Sequence, residues 1–176
     1  MSGRTMAAAA LCVALASAAA VSAQDLPFTE GFAGYSYAPV SGQGLHGWTA
    51  GLGFNFIHWL ALDLEVASQG GSLDGSDVTR LSFLAGARFS KRSGRVTPFV
   101  RLAGGLLRTT SGLTVRGVTI SAHETDPAGL AGAGVDVALG RSFGLRLGGD
   151  YFVTSADGQT QGDPRAAVAI RYRLHR

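Results

Sequence analysis

The sequence predicts an all-β protein, an eight-stranded antiparallel up-and-down transmembrane β-barrel. Three observations lead to this prediction. Eight segments alternate between apolar and other residues with the period of two that is typical of strands. The other face is built of Gly, Ala and Arg, whereas a strand facing water usually carries Lys, Glu and Thr. Charged residues make up only 15% of the chain, against about 25% in soluble domains.

The hairpin predicted for residues 80–107 shows this alternation most clearly. Two alternating arms flank a short basic turn. In the second arm, Leu102 and Leu106 share one face, and Arg101 and Ala103 share the other. Because small residues suit a crowded interior, we expect the apolar face to lie outside, against lipid.

The remaining strands follow in order along the chain. All the predicted strands together cover residues 30–38, 46–56, 60–67, 80–90, 96–107, 124–139, 143–154 and 165–175. The connections after the second, fourth and sixth strands are short, and the others are longer and polar, as in transmembrane barrels. The longest, residues 109–123, contains an alternating piece at 113–121 that is predicted to extend its flanking strands beyond the membrane.

The N-terminus has the features of a secretory signal peptide that is cleaved after residue 23. Arg4 precedes a run rich in Ala, Leu and Val, and small residues end at Ala23. A membrane anchor is the alternative, but so much Ala makes a weakly apolar span. We therefore expect a signal peptide at residues 1–23 and a barrel domain at residues 24–176.

Charge and hydropathy exclude two other classes of protein. The net charge is +3, yet Lys91 is the only lysine and the arginines form no run, whereas nucleic-acid binding typically shows a clustered basic stripe. No segment after the signal is long and apolar enough for a transmembrane helix. A protein without such a helix crosses a bilayer only as a closed barrel, because an open sheet edge leaves backbone groups unpaired in lipid.

Charged residues on the small-residue faces are predicted to form a network in the lumen. They are Asp63, Glu65, Arg88, Arg101, Asp136, Arg146, Asp150, Arg171 and Arg173. An outward arginine at the bilayer midplane costs roughly 2 to 4 kcal/mol, so these side chains are expected to point inward. An eight-stranded barrel is only just wide enough for its own side chains. Ion pairs would then plug the lumen, and a narrow gated conduit is the alternative.

Large aromatic residues gather near the predicted strand ends, where girdles mark the two membrane interfaces. These are Tyr37, Trp48, Phe56, Trp59, Phe89, Phe143 and Tyr151. A soluble eight-stranded barrel of the lipocalin type shares the alternation with inside and outside exchanged. The composition favours the membrane.

Four segments resemble the small eight-stranded outer-membrane β-barrel proteins of Gram-negative bacteria, a porin-like group. They are GFAGYSY (31–37), GWTAGLGFNF (47–56), RVTPFVRLAGG (95–105) and AIRYRL (169–174). The resemblance implies a mostly non-enzymatic envelope protein with short periplasmic turns and extracellular loops. It also implies an insertion signal for the barrel assembly machinery at Ile170, Tyr172 and Leu174, although His175 and Arg176 stand where a terminal aromatic residue is usual.

Other candidate sites have ordinary explanations. Ser121, His123 and Glu124 are the residue types of a lipid hydrolase or acyltransferase, but nothing in the sequence fixes their geometry. Two loop pairs of aspartates, Asp74 with Asp77 and Asp157 with Asp163, suit hard cations and also suit turns next to glycine. We assign no catalytic, cofactor-binding or metal-binding residue.

The sequence therefore predicts a monomeric, non-enzymatic outer-membrane protein with a structural or surface-interaction role. Its extracellular loops would carry any specific contact, and the sequence does not identify their ligand. Expected partners are outer-membrane lipids, lipopolysaccharide and, during insertion, the barrel assembly machinery; no nucleic acid and no cofactor is expected. A narrow small-solute channel is the first alternative, and a lipid-modifying enzyme is the second.

Overall fold

The computed structural model describes residues 28–40, 42–73, 76–115, 118–156 and 159–174, which form one closed antiparallel barrel. Its strands are β1 (Thr29–Val40), β2 (Gln43–Ile57), β3 (Leu60–Leu73), β4 (Ser76–Ser90), β5 (Val96–Val115), β6 (Val118–Ala138), β7 (Phe143–Ala156) and β8 (Gln159–Leu174). The predicted fold class is confirmed. Within the described ranges, no helix could cross a membrane. The predicted signal peptide lies outside these ranges.

Pairing of the first and last strands closes the barrel. The β1–β8 ladder runs from Thr29↔Leu174 to Tyr37↔Ala166. All other ladders join strands that are consecutive in sequence. Closure leaves no open edge around the barrel wall, which satisfies the backbone groups that would otherwise face lipid.

The alternation in the sequence puts each side chain on the face that was predicted. In β5, Leu102 is 59% exposed and Arg101 is 8% exposed. In β4, Phe83 is 54% exposed and Leu84 is 4% exposed. A register slip of one residue would exchange these faces and put buried charges into lipid, so burial itself specifies the register.

One end of the barrel, which we call the turn end, carries three short connections. Residues 58–59, 91–95 and 139–142 join β2 to β3, β4 to β5 and β6 to β7. Gly94 has a φ of 62°, a left-handed conformation that glycine adopts without strain. Backbone hydrogen bonds join neighbouring turns, for example from Ala138 N to the carbonyl oxygen of Arg95 at 2.8 Å.

The opposite end, the hairpin end, differs from the prediction of long loops. The predicted connection at residues 109–123 is mostly strand, since β5 reaches Val115 and β6 begins at Val118, which confirms the extension predicted from the alternating piece at 113–121. The predicted loop at residues 156–164 likewise belongs largely to β7 and β8. The predicted strands end too early because their polar continuation was assigned to loops. A strand that leaves the membrane no longer needs an apolar face, but its cross-strand hydrogen bonds persist.

The β5–β6 pair reaches farther than its neighbours. Its ladder continues to Val115↔Val118, whereas the β6–β7 ladder ends at Ala128↔Thr154. Residues 108–115 and 118–127 form a hairpin, which we call the projecting hairpin. Its β5 arm is paired with β4 as far as Gly112, whereas its β6 arm has no pairing with β7 among the described residues. A proline is expected to lie outside a regular ladder, but Pro127 pairs with Leu106 within the β5–β6 ladder. It lies just beyond the last β6–β7 pair, where its missing N–H is tolerated.

Candidate functional site

Six charged side chains fill the lumen near the turn end, and we call them the turn-end cluster. They are Glu30, Asp63, Arg88, Asp136, Arg146 and Arg171, each at most 5% exposed. They come from six different strands, and the alternation in each strand points them inward. Three carboxylates and three guanidinium groups balance in charge.

The turn-end cluster consists of three close ion pairs. Arg146 donates to both carboxylate oxygens of Asp136 at 2.8 and 3.0 Å. Arg88 donates from Nε to Asp63 at 2.9 and 3.1 Å. Arg171 Nη1 donates to Glu30 Oε2 at 3.0 Å. Each pair is a charge-assisted hydrogen bond of good length.

Longer contacts connect these pairs. Arg88 Nη2 is 3.6 Å from Glu30, Arg88 Nη1 is 3.7 Å from Asp136, and Arg146 Nη1 is 3.6 Å from Asp63. Both Nη atoms of Arg88, Nη1 of Arg146 and Nε of Arg171 are buried without a hydrogen-bond partner among the described residues. The pairs are thus held together by Coulomb attraction rather than by direct hydrogen bonds.

Aromatic rings and polar side chains border this cluster. The guanidinium carbon of Arg146 lies 4.7 Å from the ring centre of Phe32 and 5.1 Å from that of Phe99, which are cation–π contacts. At the mouth, Asn55 donates to Glu30 at 3.0 Å, and Arg92 donates to Asn55 at 2.7 Å. Burial lowers the pKa of the Arg92 guanidinium in the turn, and the charge of Glu30 opposes that shift.

Four more charged residues, the mid-barrel cluster, form a closed ring of ion pairs. Arg101 binds Asp150 through two hydrogen bonds of 2.6 and 2.9 Å and binds Glu65 at 2.6 Å. Arg165 Nη2 lies 2.9 Å from Asp150 and 2.6 Å from Glu65. Each acid therefore bridges both arginines, and two negative charges balance two positive charges.

An apolar layer closes the lumen beyond the mid-barrel cluster. Along β7, the inward residues from the turn end are Arg146, then Asp150, then Phe152. Phe152 packs with Leu84, Leu107, Ala128 and Leu130. Toward the hairpin end, Arg80 and Asp163 form a further pair at 3.0 Å.

The space left between these layers is small. A cavity whose lining includes Asp63, Glu65 and Arg101 measures about 10 Å³, and a second, next to the Arg80–Asp163 pair, also measures about 10 Å³. Such a volume holds about one water molecule. Neither of these two cavities has room for a column of water.

The structure brings together every predicted lumen residue except Arg173. Arg173 is partly buried at the turn end and forms no ion pair with a described residue. Sequence reasoning missed four charged participants, namely Glu30, Arg80, Asp163 and Arg165. Strand phase could have found two of them, because Glu30 shares its face with Phe32 and Arg165 shares its face with Arg171.

The inner face also holds more apolar bulk than its small residues suggested. Phe32, Phe99, Leu107 and Phe152 are between 4% and 8% exposed. Phe32 and Phe99 face the guanidinium group of Arg146, and Leu107 and Phe152 belong to the apolar layer. The lumen is consequently layered rather than uniformly polar.

A sequence comparison decides the family of this barrel. The family model of the outer membrane protein beta-barrel domain matches residues 7–170. The chain belongs to this family. This outer-membrane barrel therefore resides in the bacterial outer membrane, which excludes the soluble lipocalin-type alternative.

Solved structures share the fold of the outer-membrane barrel at low sequence identity. Neisserial surface protein A is 15% identical with a TM-score of 0.62, covering 83% of this chain and 96% of that chain. Ail of Yersinia pestis is 16% identical with a TM-score of 0.60, covering 83% and 97%. The outer membrane enzyme PagL is 15% identical with a TM-score of 0.51, covering 82% and 99%. A search of curated proteins finds no match.

The predicted interface aromatics of the outer-membrane barrel lie near its two ends. Trp48, Phe56, Trp59, Phe143 and Tyr151 are 48% to 60% exposed, and Tyr37 and Phe89 are partly buried. Trp59 stacks on Phe89 at 6.0 Å, and Phe143 lies 5.0 Å from Tyr172. The predicted insertion residues Ile170, Tyr172 and Leu174 are 43% to 51% exposed along β8.

The other candidate residues are not assembled into a site by the described part of the barrel. His123 Nδ1 lies 3.1 Å from Thr110 Oγ1, Glu124 is exposed, and the side chain of Ser121 lies outside the description. Asp77 accepts a hydrogen bond from Ser72 at 3.0 Å, while Asp74 and Asp157 are not described. No group of three or more His, Cys, Asp or Glu side chains that could hold a metal ion occurs in the described ranges.

Proposed function

We propose that this outer-membrane barrel is a non-enzymatic, non-conducting protein that acts through its surface at the hairpin end, outside the cell. The layered lumen is the observation that carries this proposal. Two ion-paired clusters and an apolar layer occupy successive levels, and the cavities between them measure about 10 Å³. A filled lumen argues against solute passage and leaves the outer surface as the functional part.

The projecting hairpin supports a role in contacting partners. Residues 118–127 of β6 pair with β5 and have no pairing with β7 among the described residues. An unpaired strand edge offers backbone N–H and C=O groups to an added strand. Arg108, His123 and Glu124 are exposed along the hairpin and would contribute specificity. Ail, which shares the fold, is seen in complex with the heparin analogue sucrose octasulfate.

Single-channel recording of the purified protein in planar bilayers tests the sealed lumen. We expect no steady openings, because ions would have to cross both clusters and the apolar layer. Large and steady conductance would overturn this part of the proposal in favour of the channel alternative.

An array of extended peptides and sulfated glycans tests the surface role. The barrel in nanodiscs is compared with a variant in which residues 110–123 are replaced by a short Asn-Gly turn. We expect ligands that bind the full protein and not the shortened one. Equal binding by both proteins contradicts a role for the projecting hairpin.

Two further properties belong to the same proposal. The barrel is monomeric, and the barrel assembly machinery recognises β8 through Ile170, Tyr172 and Leu174. Light scattering in detergent tests the first property. Reduced outer-membrane insertion of a Tyr172→Ser variant, compared with Tyr151→Ser as the control, tests the second.

A further inference from the structure

Among the described residues, the rim of the turn end carries positive charge that no exposed acid balances. Lys91, Arg95 and Arg141 are exposed, and Arg92 and Arg173 are partly buried. Among the described residues of this rim (28–30, 56–59, 90–96, 138–143 and 172–174), Glu30 is the acid, and it is 1% exposed and paired with Arg171. The three exposed cations form no ion pair with a described residue.

Backbone hydrogen bonds fix the turns from which these cations extend. Ala138 N donates to the carbonyl oxygen of Arg95 at 2.8 Å, which places the β4–β5 turn beside the β6–β7 turn. Arg173 N donates to the carbonyl oxygen of Ser142 at 2.8 Å, next to Arg141. Because the turns are joined, their cations are presented together rather than on independent loops.

Aromatic side chains set the depth of these cations in the membrane. The stacked pair of Trp59 and Phe89 and the pair of Phe143 and Tyr172 are adjacent to the rim. Exposed aromatic residues of this kind lie at the level of the lipid headgroups. Lys91, Arg141 and Arg173 are within two residues of these aromatics in sequence and so lie at the level of the lipid phosphates.

We propose that the turn-end rim binds anionic phospholipids through their headgroup phosphates, in preference to zwitterionic phospholipids. The rim fits this partner in charge, because its exposed cations form no ion pair with a described residue, and in depth, because the aromatics place them at the headgroups. The projecting hairpin lacks this character, since exposed Arg108 and Glu124 carry opposite charges. The preference is therefore confined to one end of the barrel.

The two tryptophans of the chain, Trp48 and Trp59, provide reporters at opposite ends. They are similarly exposed, at 49% and 48%. In the full barrel carrying Trp48→Phe, the remaining Trp59 reports from the turn end. In the barrel carrying Trp59→Phe, the remaining Trp48 reports from the hairpin end. Each is refolded into phosphatidylcholine vesicles containing increasing amounts of brominated phosphatidylglycerol or of brominated phosphatidylcholine, and quenching of tryptophan fluorescence is recorded. Both leaflets have the same composition, so the orientation of insertion does not affect the result.

We expect the mole fraction of lipid that quenches half of the Trp59 fluorescence to be about fivefold lower for brominated phosphatidylglycerol than for brominated phosphatidylcholine. A factor of this size corresponds to the attraction of one cation to an anionic surface. Trp48 should show no such difference. The triple variant K91Q/R95Q/R141Q should lose the preference at Trp59, and Arg108→Gln, which removes a cation at the other end, should keep it. High salt should reduce the preference in the unmutated rim because it screens exposed charges.

Equal quenching of Trp59 by the two lipids overturns the proposal, as does a preference that survives both the triple variant and high salt. A preference of the same size at Trp48 overturns its restriction to the rim. Heat-modifiable gel migration verifies that each variant is folded, and the salt series tests the unmutated rim even where a variant fails to fold. None of these outcomes depends on whether the lumen conducts or the projecting hairpin binds a partner.

Discussion

The turn-end cluster and the mid-barrel cluster contain the same chemistry in two different connectivities. In the mid-barrel cluster, Arg101, Asp150, Arg165 and Glu65 form a closed ring with contacts of 2.6 to 2.9 Å. In the turn-end cluster, three separate pairs are linked only by contacts of 3.6 to 3.8 Å. In the ring, the loss of any member breaks two short contacts. In the turn-end cluster, each arginine has at least one further acid within 4 Å besides its close partner.

The two clusters also lie at different levels of the lumen. The mid-barrel cluster is covered by the turn-end cluster on one side and by the apolar layer on the other. The turn-end cluster reaches the mouth through Glu30, Asn55 and partly exposed Arg92. All ten residues are at most 8% exposed, and breaking a buried ion pair is costly at either level. The closed connectivity of the mid-barrel cluster, rather than its depth, is therefore expected to make it more sensitive to substitution.

Asp150→Ala should have the largest effect. It opens the ring and leaves Arg101 and Arg165 to share Glu65, and breaking a buried pair in this way costs about 3 to 5 kcal/mol. The free energy of unfolding, measured by urea titration of the barrel in vesicles, is expected to fall by this amount. A loss below about 1 kcal/mol would show that the ring is solvated like a surface pair.

Asp136→Ala should have a smaller effect, although Asp136 is just as buried. Arg88 keeps its bond to Asp63 and Arg171 keeps its bond to Glu30, so the substitution fully removes one pair, that with Arg146. We expect a loss of about 1.5 to 3 kcal/mol, the contribution of hydrogen bonds to charged groups. The same titration checks it, and a loss equal to that of Asp150→Ala would contradict the distributed-charge interpretation.

Two glycines next to the clusters allow a matched steric comparison. A Cβ atom at Gly132 would overlap Asp150 Oδ1 and approach the carbonyl oxygen of Gly149 to 2.8 Å, whereas one at Gly53 would lie 2.9 Å from Asp63 Oδ1 and 3.0 Å from Arg88 Nη2. Overpacking of this kind costs about 1 to 3 kcal/mol. Gly132→Ala should reach that range, and Gly53→Ala should stay below it because its neighbours are side-chain ends. The midpoint of heat-modifiable gel migration ranks the two variants, and the reverse order would contradict the expectation.

Arg173→Gln should have the smallest effect. Arg173 forms no ion pair with a described residue and is partly exposed. We expect a change in unfolding free energy within about 0.5 kcal/mol, as for most surface substitutions. A loss comparable to that of Asp136→Ala would place Arg173 functionally inside the turn-end cluster.

Much of the fold could be read from the sequence, because a strand repeats every two residues and lipid requires an apolar exterior. This reasoning put Arg101 and Asp150 inside and Leu102 outside. It was least complete at the hairpin end, where residues 109–123 were assigned to a connection although they continue as strands, as only the alternating piece at 113–121 had indicated. It also missed Glu30, which shares its face with Phe32 at the start of a predicted strand but was not counted among the inward charges.

The amino-acid sequence by itself determined the number of strands, the facing of their side chains and the set of charges that lipid forces inward. Only the tertiary structure decided which charges meet. Asp150 binds Arg101, which is 49 residues away in sequence, and Glu30 binds Arg171, which is 141 residues away. These partners depend on barrel closure and on the stagger between strands, which a pattern within each strand does not contain. The same closure separates the inward charges into a ring and a set of pairs, and so makes one cluster more sensitive to substitution than the other.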